Sequence, residues 1–133
     1  MVTKDDIEGF LGRLSDGSSH SEIEPGLWVV KPGGALDFDL LVHYSPPVVV
    51  LSVRVMTVPG DKNLEAALNR RLLELNASDL VHGAYGIEDG SIVMAEALEL
   101  SHLDYEEFQT AYESITVALA SHLREIGSFR EAR

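Results

Sequence analysis

Leu80–Glu99, LVHGAYGIEDGSIVMAEALE, is the stretch that decides the fold. It reads as a β-hairpin closed by Asp89-Gly90, a dipeptide favoured in two-residue type I′ turns because both central residues need positive φ. Such a turn sets the pairing. Ile87 faces Ile92, Tyr85 faces Met94 and Val81 faces Leu98, while Gly86 faces Val93, Ala84 faces Ala95 and His82 faces Ala97. Side chains alternate across a strand, so one face of the hairpin is large and apolar and the other is small and smooth.

Helical patterns flank the hairpin. Upstream, Leu64, Leu68, Leu72 and Leu75 lie along one side of a helix that Asp61 or Asn63 caps and that runs to about Asn76. Downstream, Asp104 caps a longer helix with Glu107 in capping-box position. Its stripe of Tyr105, Phe108, Tyr112, Ile115, Leu119, His122 and Ile126 advances in steps of three and four. That spacing suits a helix packed along a sheet, with Gly127 ending it.

Further out, Val48–Val58 reads as the longest strand. Val49, Leu51, Val53 and Val55 make one face, and Val48, Val50, Ser52, Arg54 and Met56 make a mixed one. Asp37–Tyr44 is a second strand that ends at Ser45-Pro46-Pro47. Ile23–Lys31 is a first strand, irregular at Pro25-Gly26, followed by a turn at Lys31–Ala35. Ser15–Ser21 is a polar loop. Before it, Thr3 caps a helix whose stripe is Ile7, Phe10, Leu11 and Leu14. The order α-β-β-β-α-β-β-α predicts an α+β two-layer sandwich: a five-stranded, mainly antiparallel sheet with helices packed on one face. Residues 1–127 are expected to form a single domain and residues 128–133 a flexible C-terminal tail.

Composition narrows the function classes. The chain has 133 residues, is 45% hydrophobic and lacks cysteine, which excludes disulfides, thiol chemistry and the usual structural zinc site. A formal net charge of −12 disfavours a bare nucleic-acid or anionic-membrane role, since both need a basic footprint. No apolar run approaches the ~20 residues of a membrane span. Asp5, Asp6 and Glu8 near the start, with no apolar core segment, argue against a secretory signal. A cytoplasmic location is expected.

Catalytic signals are absent. His20, His43, His82, His102 and His122 form no metal-binding spacing. Lys31-Pro32-Gly33-Gly34-Ala35 lacks the Gly-Lys-Ser/Thr end of a phosphate loop. Asn76-Ala77-Ser78 matches a glycosylation sequon, which has no meaning in a cytoplasmic protein, and no GxSxG elbow occurs. Glu22 with Glu24, and Asp37 with Asp39, place two carboxylates on one strand face and form an alternative site for a divalent cation or a small ligand. Charged sheet edges also look like this. What remains is surface. Helices on one side leave the small face open, so Ala84, Gly86, Val93, Ala95 and Ala97, with Val48, Val50 and Met56, are the candidate partner-binding or dimer-binding residues.

Leu72–Asn76 (LLELN), a short strand, Glu88–Leu100 (EDGSIVMAEALEL) and the acid-capped helix from Asp104 together resemble the YbjN family. That family is similar in fold to the type III secretion chaperones of the Tir-chaperone, CesT-like group. Thr3–Pro59 supplies the matching α-β-β-β half, and Asn69, Asn76 and Asp89-Gly90 fit the pattern. The resemblance implies a small bacterial cytoplasmic protein, a homodimer, with no cofactor and no catalytic residues; the histidine spacing and acidic pairs lead to the expectation of no metal site. The resemblance also implies a chaperone-like hold on an extended client segment, or a regulatory partner tied to stress responses. On these grounds the chain is expected to be a non-enzymatic protein-interaction module.

Overall fold

Thr3 and Asp6 start the first helix with a reciprocal cap. The Asp6 N–H donates to Thr3 Oγ1 at 3.2 Å, and the Thr3 N–H donates to Asp6 Oδ2 at 2.8 Å. This helix, α1 (Lys4–Arg13), buries Ile7 and Leu11. The strands that follow are β1 (Ser19–Glu24), β2 (Leu27–Lys31), β3 (Leu40–Ser45) and β4 (Val48–Thr57). Then come α2 (Lys62–Ser78), β5 (Ala84–Glu88), β6 (Ser91–Glu99) and α3 (Tyr105–Gly127). These elements come from a computed structural model that describes residues 1–34 and 37–130. Ala35, the last residue of the expected glycine-rich turn, and residues 131–133 of the expected tail lie outside the described residues.

The six strands form one sheet in the order β1-β2-β3-β4-β6-β5, with every pairing antiparallel. The α+β class and the one-sided helices hold, but there are six strands where five were expected. The extra strand arises at Pro25-Gly26. Gly26 sits at φ +79°, a conformation that costs a glycine nothing. The irregular entry of one strand is therefore a tight turn between two, and β1 takes in Ser19–Ser21 from the expected loop.

The Asp89-Gly90 hairpin has its expected register: Ile87 opposite Ile92, Tyr85 opposite Met94, Gly86 opposite Val93, and Ala84 opposite Ala95. Asp89 and Gly90 take φ of 49° and 78°. The hairpin is shorter than expected, because Gly83 at φ +81° turns the chain and Val81 and His82 pair with nothing in the sheet. The Gly83 N–H donates to the Glu96 carboxylate instead of to a strand.

One core lies between the helices and one sheet face. Trp28, Val30, Leu40, Val42, Val49, Leu51, Ile92 and Met94 floor it. Ile7 and Leu11 of α1, Leu68, Leu72 and Leu75 of α2, and the α3 stripe roof it. Tyr85 joins the floor, but Ile87, expected there, is exposed near the hairpin tip.

A bulge changes the end of β4. Arg54 pairs with Val93 and Met56 with Ile92, so Val55 is an extra residue on one strand. Beyond it the faces swap. Met56, expected on the open face, turns into the core at 8% exposure, and Val55, expected in the core, is left half-buried.

Two contacts yield stability predictions. At the free edge of β5, Asn76 Oδ1 accepts from the Tyr85 N–H at 2.7 Å and its Nδ2 donates to the Tyr85 carbonyl at 3.1 Å. This covers a stretch of edge backbone with a side chain from α2. Asn76→Ala is expected to cost about 2 kcal/mol, because both backbone groups lose their partner; urea unfolding followed by tryptophan fluorescence measures it. Trp28, the sole tryptophan, is fully buried with no hydrogen-bond partner for Nε1 among the described residues. Trp28→Ala should cost about 3–5 kcal/mol. Trp28→Phe should cost under about 2 kcal/mol, since it also removes the unpaired N–H; circular dichroism gives both values.

Candidate interaction surface

The sheet face turned away from the helices is built from cross-strand rows. One runs Val29, Leu41, Ser52, Ala95, Ala84 across five strands. The next runs Leu27, His43, Val50, Ala97. A shorter row, Arg54, Val93, Gly86, lies toward the hairpin tip, and Val48 sits at the other end between Ser45 and Glu99. Leu27, Val29, Leu41, Val50, Val93 and Ala95 are half-buried, and Ala84, Gly86 and Ala97 are exposed. No helix of the described residues covers this face; the helices' buried side chains all belong to the core on the other side.

Of the candidate residues, Ala84, Gly86, Val93, Ala95, Ala97, Val48 and Val50 therefore share one surface, and Met56 does not. The small side chains of β6 and β5 leave room above them. The face is a trough of about 700 Å³, floored by Leu41, Val50 and Ala95 and bounded at the hairpin end by Glu88 and Asp89.

Arg54 stands in this trough. Its Nε donates to Ser91 Oγ at 2.8 Å and its Nη2 to Thr57 Oγ1 at 3.3 Å. Residues on one strand face normally differ by an even number, yet Arg54 and Thr57 differ by three. The extra Val55 puts them on the same side. Both partners are neutral hydroxyls, so the guanidinium is oriented while its charge stays uncompensated. A period-two reading of β4 contains no signal for this.

The acidic pairs do not form cation sites. In β1 the register shifts between Glu22 and Glu24, so Glu22 lies opposite Trp28 and Glu24 opposite Leu27, on different faces. Glu22 is engaged by Lys4 Nζ at 3.0 Å and by the Gly26 N–H at 2.8 Å. The Gly26 hydrogen bond, then Lys4, holds its carboxyl below the usual range. Asp37 and Asp39 precede β3 rather than lying in it, and Asp39 pairs with Lys31 Nζ at 3.0 Å. Among the described residues no three His, Asp or Glu side chains converge to hold a metal.

One polar chain on the helix side runs from the exposed Asp79 to the buried His122 and Tyr85. His122 Nε2 is 3.1 Å from Asp79 Oδ2, and its Nδ1 is 2.8 Å from the Tyr85 hydroxyl. A carboxylate only accepts, so Nε2 carries the proton and, in the neutral ring, Nδ1 accepts from the tyrosine O–H. Burial first, then the nearby Asp79 and Glu125 charges, pushes the Tyr85 hydroxyl far above its ordinary pKa, leaving it a donor and not a nucleophile. The chain ties α3 to the end of α2 and to β5, which is the role its place on the α3 stripe suggests.

No helix among the described residues is long and apolar enough to cross a membrane. No curated protein sequence matches the chain. Solved structures share its fold. A chain of the heterodimeric ExoU–SpcU complex from the type III secretion system of Pseudomonas aeruginosa superposes with a TM-score of 0.68 at 15% identity, over 89% of this chain and 95% of that one. YbjN from E. coli, described as a putative transcription regulator, superposes with a TM-score of 0.63 at 16% identity, over 94% of this chain and 96% of that one. The family model CesT_Tir_1 matches residues 2–132, and the chain belongs to that family.

Proposed function

We propose that this protein is a non-enzymatic interaction module that acts as a homodimer and holds a protein partner on its open sheet face. One observation carries the reading. The open face has an apolar floor of Leu41, Val50, Val93 and Ala95, is shaped as a trough with His43, Arg54, Glu88 and Asp89 also in its lining, and is left uncovered by the helices. Apolar sheet faces of this kind mark partner surfaces. The family and the fold support the reading. A chain that superposes on this one comes from a heterodimeric complex within a secretion system, and fold likeness alone leaves the function to be argued from the surface. The polar chemistry points the same way: Glu22 and Asp39 are engaged in ion pairs, and the one buried histidine is held between two partners.

The small residues have a clear role in this reading. Ala84, Gly86, Ala95 and Ala97 let another backbone or a bulky side chain approach the sheet closely. Specificity would come from the polar and charged groups around them, His43, Arg54, Glu88 and Asp89, more than from the apolar floor.

Ala95 sits mid-face, so Ala95→Arg places a long cation in the trough without touching the core. It is expected to abolish partner capture from extracts of the source cells while the circular dichroism spectrum and unfolding midpoint stay at wild-type values. Capture equal to wild type would remove the open face from the proposal. Sedimentation velocity of the same two proteins tests the homodimer. A monomer at micromolar concentration would overturn that part alone.

A further inference from the structure

The chain carries ten lysines and arginines against twenty-two acids, and among the described residues Lys62, at the start of α2, is a cation without an ion pair that stands apart from the others. Lys4, Lys31, Arg70 and Arg71 are in ion pairs with Glu22, Asp39, Glu74 and Glu125. Arg13 lies over the Tyr105 ring. Arg54, Arg124 and Arg130 have no ion pair among the described residues, and all three line a second trough of about 640 Å³. It runs round the end of the strands, from the C-terminal turn of α3 to the open sheet face. Phe38, Leu41, Val55 and Leu123 supply its apolar walls. Asp37 and Asp39 also line it, and Lys31 holds Asp39.

This trough is continuous with the open face: Leu41, Val53 and Arg54 line both. Arg54 marks the junction, and its guanidinium is already oriented by Ser91 and Thr57 with N–H groups to spare. Exposed arginines at a helix end also suit the helix dipole, which accounts for Arg124 within the last turn of α3. It does not account for Arg54, which projects from a strand.

We infer that this trough binds an acidic segment of a protein partner, with carboxylates on Arg54, Arg124 and Arg130 and intervening apolar side chains on the Phe38 and Leu123 walls. The inference rests on the reading of the chain as an interaction module and adds the chemistry of the partner. Charge complementarity selects the occupant. In a chain of net charge −12, a segment rich in acid is repelled by much of the surface and attracted where three arginines without ion pairs line one trough, so the trough would set both site and register. Guanidinium groups suit carboxylates because their planar forks bond two oxygens at once.

The probe is a fluorescein-labelled peptide alternating glutamate and leucine, with a glutamate–serine peptide for comparison, measured by fluorescence anisotropy. The glutamate–leucine peptide should bind more tightly than the glutamate–serine one and should weaken as salt rises. Arg124→Gln and Arg130→Gln, both on the surface, should each weaken it about tenfold, the loss expected for one charge-assisted contact. Arg124→Glu with Arg130→Glu should abolish binding while Trp28 fluorescence reports an intact core. Absence of binding, or binding unchanged in the double variant, would overturn the inference. A single-stranded oligonucleotide that binds more tightly than the peptide through the same arginines would also overturn it, by assigning the trough to nucleic acid. Ala95→Arg separates the two readings. If it loses partner capture while the double variant captures normally, the acidic-segment inference falls and the module stands. If peptide binding depends on the arginines while Ala95→Arg captures normally, the open-face reading falls.

Discussion

The structure depends on the pairing of β4 with β6. It runs from Val48 opposite Glu99 to Thr57 opposite Ser91, and it is the one strand pairing that joins residues far apart in the chain. The other pairings are local hairpins, which close at little entropic cost. Without the β4–β6 ladder, the β1–β4 meander and the β5–β6 hairpin are two narrow ribbons, each with an apolar face too small to bury a helix. Joined, they make a continuous floor on which α3 can lay its stripe from Phe108 to Ile126. The connection between them is α2, whose Leu68, Leu72 and Leu75 enter the same core. The cost of closing the long loop is therefore offset by burial of the helix that forms it.

What was legible in the sequence was the chemistry that acts over a few residues. The Asp89-Gly90 turn, the Asp104 cap and the α3 stripe each follow from a local pattern and are present, and of the two caps open for α2, Asp61 and Asn63, the structure uses Asp61. Seven of the candidate surface residues reached one face for the same reason, since a period of two is a local property. The failures share the opposite character. Val55 continues the alternation of Val49, Leu51 and Val53, so nothing in β4 alone marks it as the bulge; its partner strand decides that. The strand β1 is mostly exposed and polar, and it is a strand only because β2 lies beside it. Val81 and His82 fall outside the hairpin because the chain turns at Gly83, whose N–H goes to the Glu96 carboxylate thirteen residues away.

The carboxylate pairs show how spacing can mislead. Two acids at i and i+2 share a face only if the strand is regular and present. In β1 a register shift separates Glu22 from Glu24, and at β3 the strand begins after Asp39. The nearer partners, Lys4, Lys31 and the Gly26 N–H, then take the charges. Exposed pairs of this kind add little to stability. Their effect is on distribution, because each consumes a cation. Once Lys4, Lys31, Arg70 and Arg71 are spent in this way, the cations without an ion pair among the described residues are Lys62, Arg13 and the three arginines of the second trough.

How Arg54 is held follows from the bulge. The extra residue at Val55 does two things at once. It turns Met56 inward, so the core continues under the end of β4 opposite Ile92. It also brings Thr57 to the side of Arg54, where that hydroxyl and Ser91 can both reach the guanidinium. A regular strand would expose Met56 and point Thr57 away, leaving Arg54 a free rotor beside an apolar side chain. Core closure and charge presentation at the junction of the two troughs thus come from one irregularity. Neither can be altered there without the other, so the local twist of β4 is as much a part of the surface as the side chains that line it.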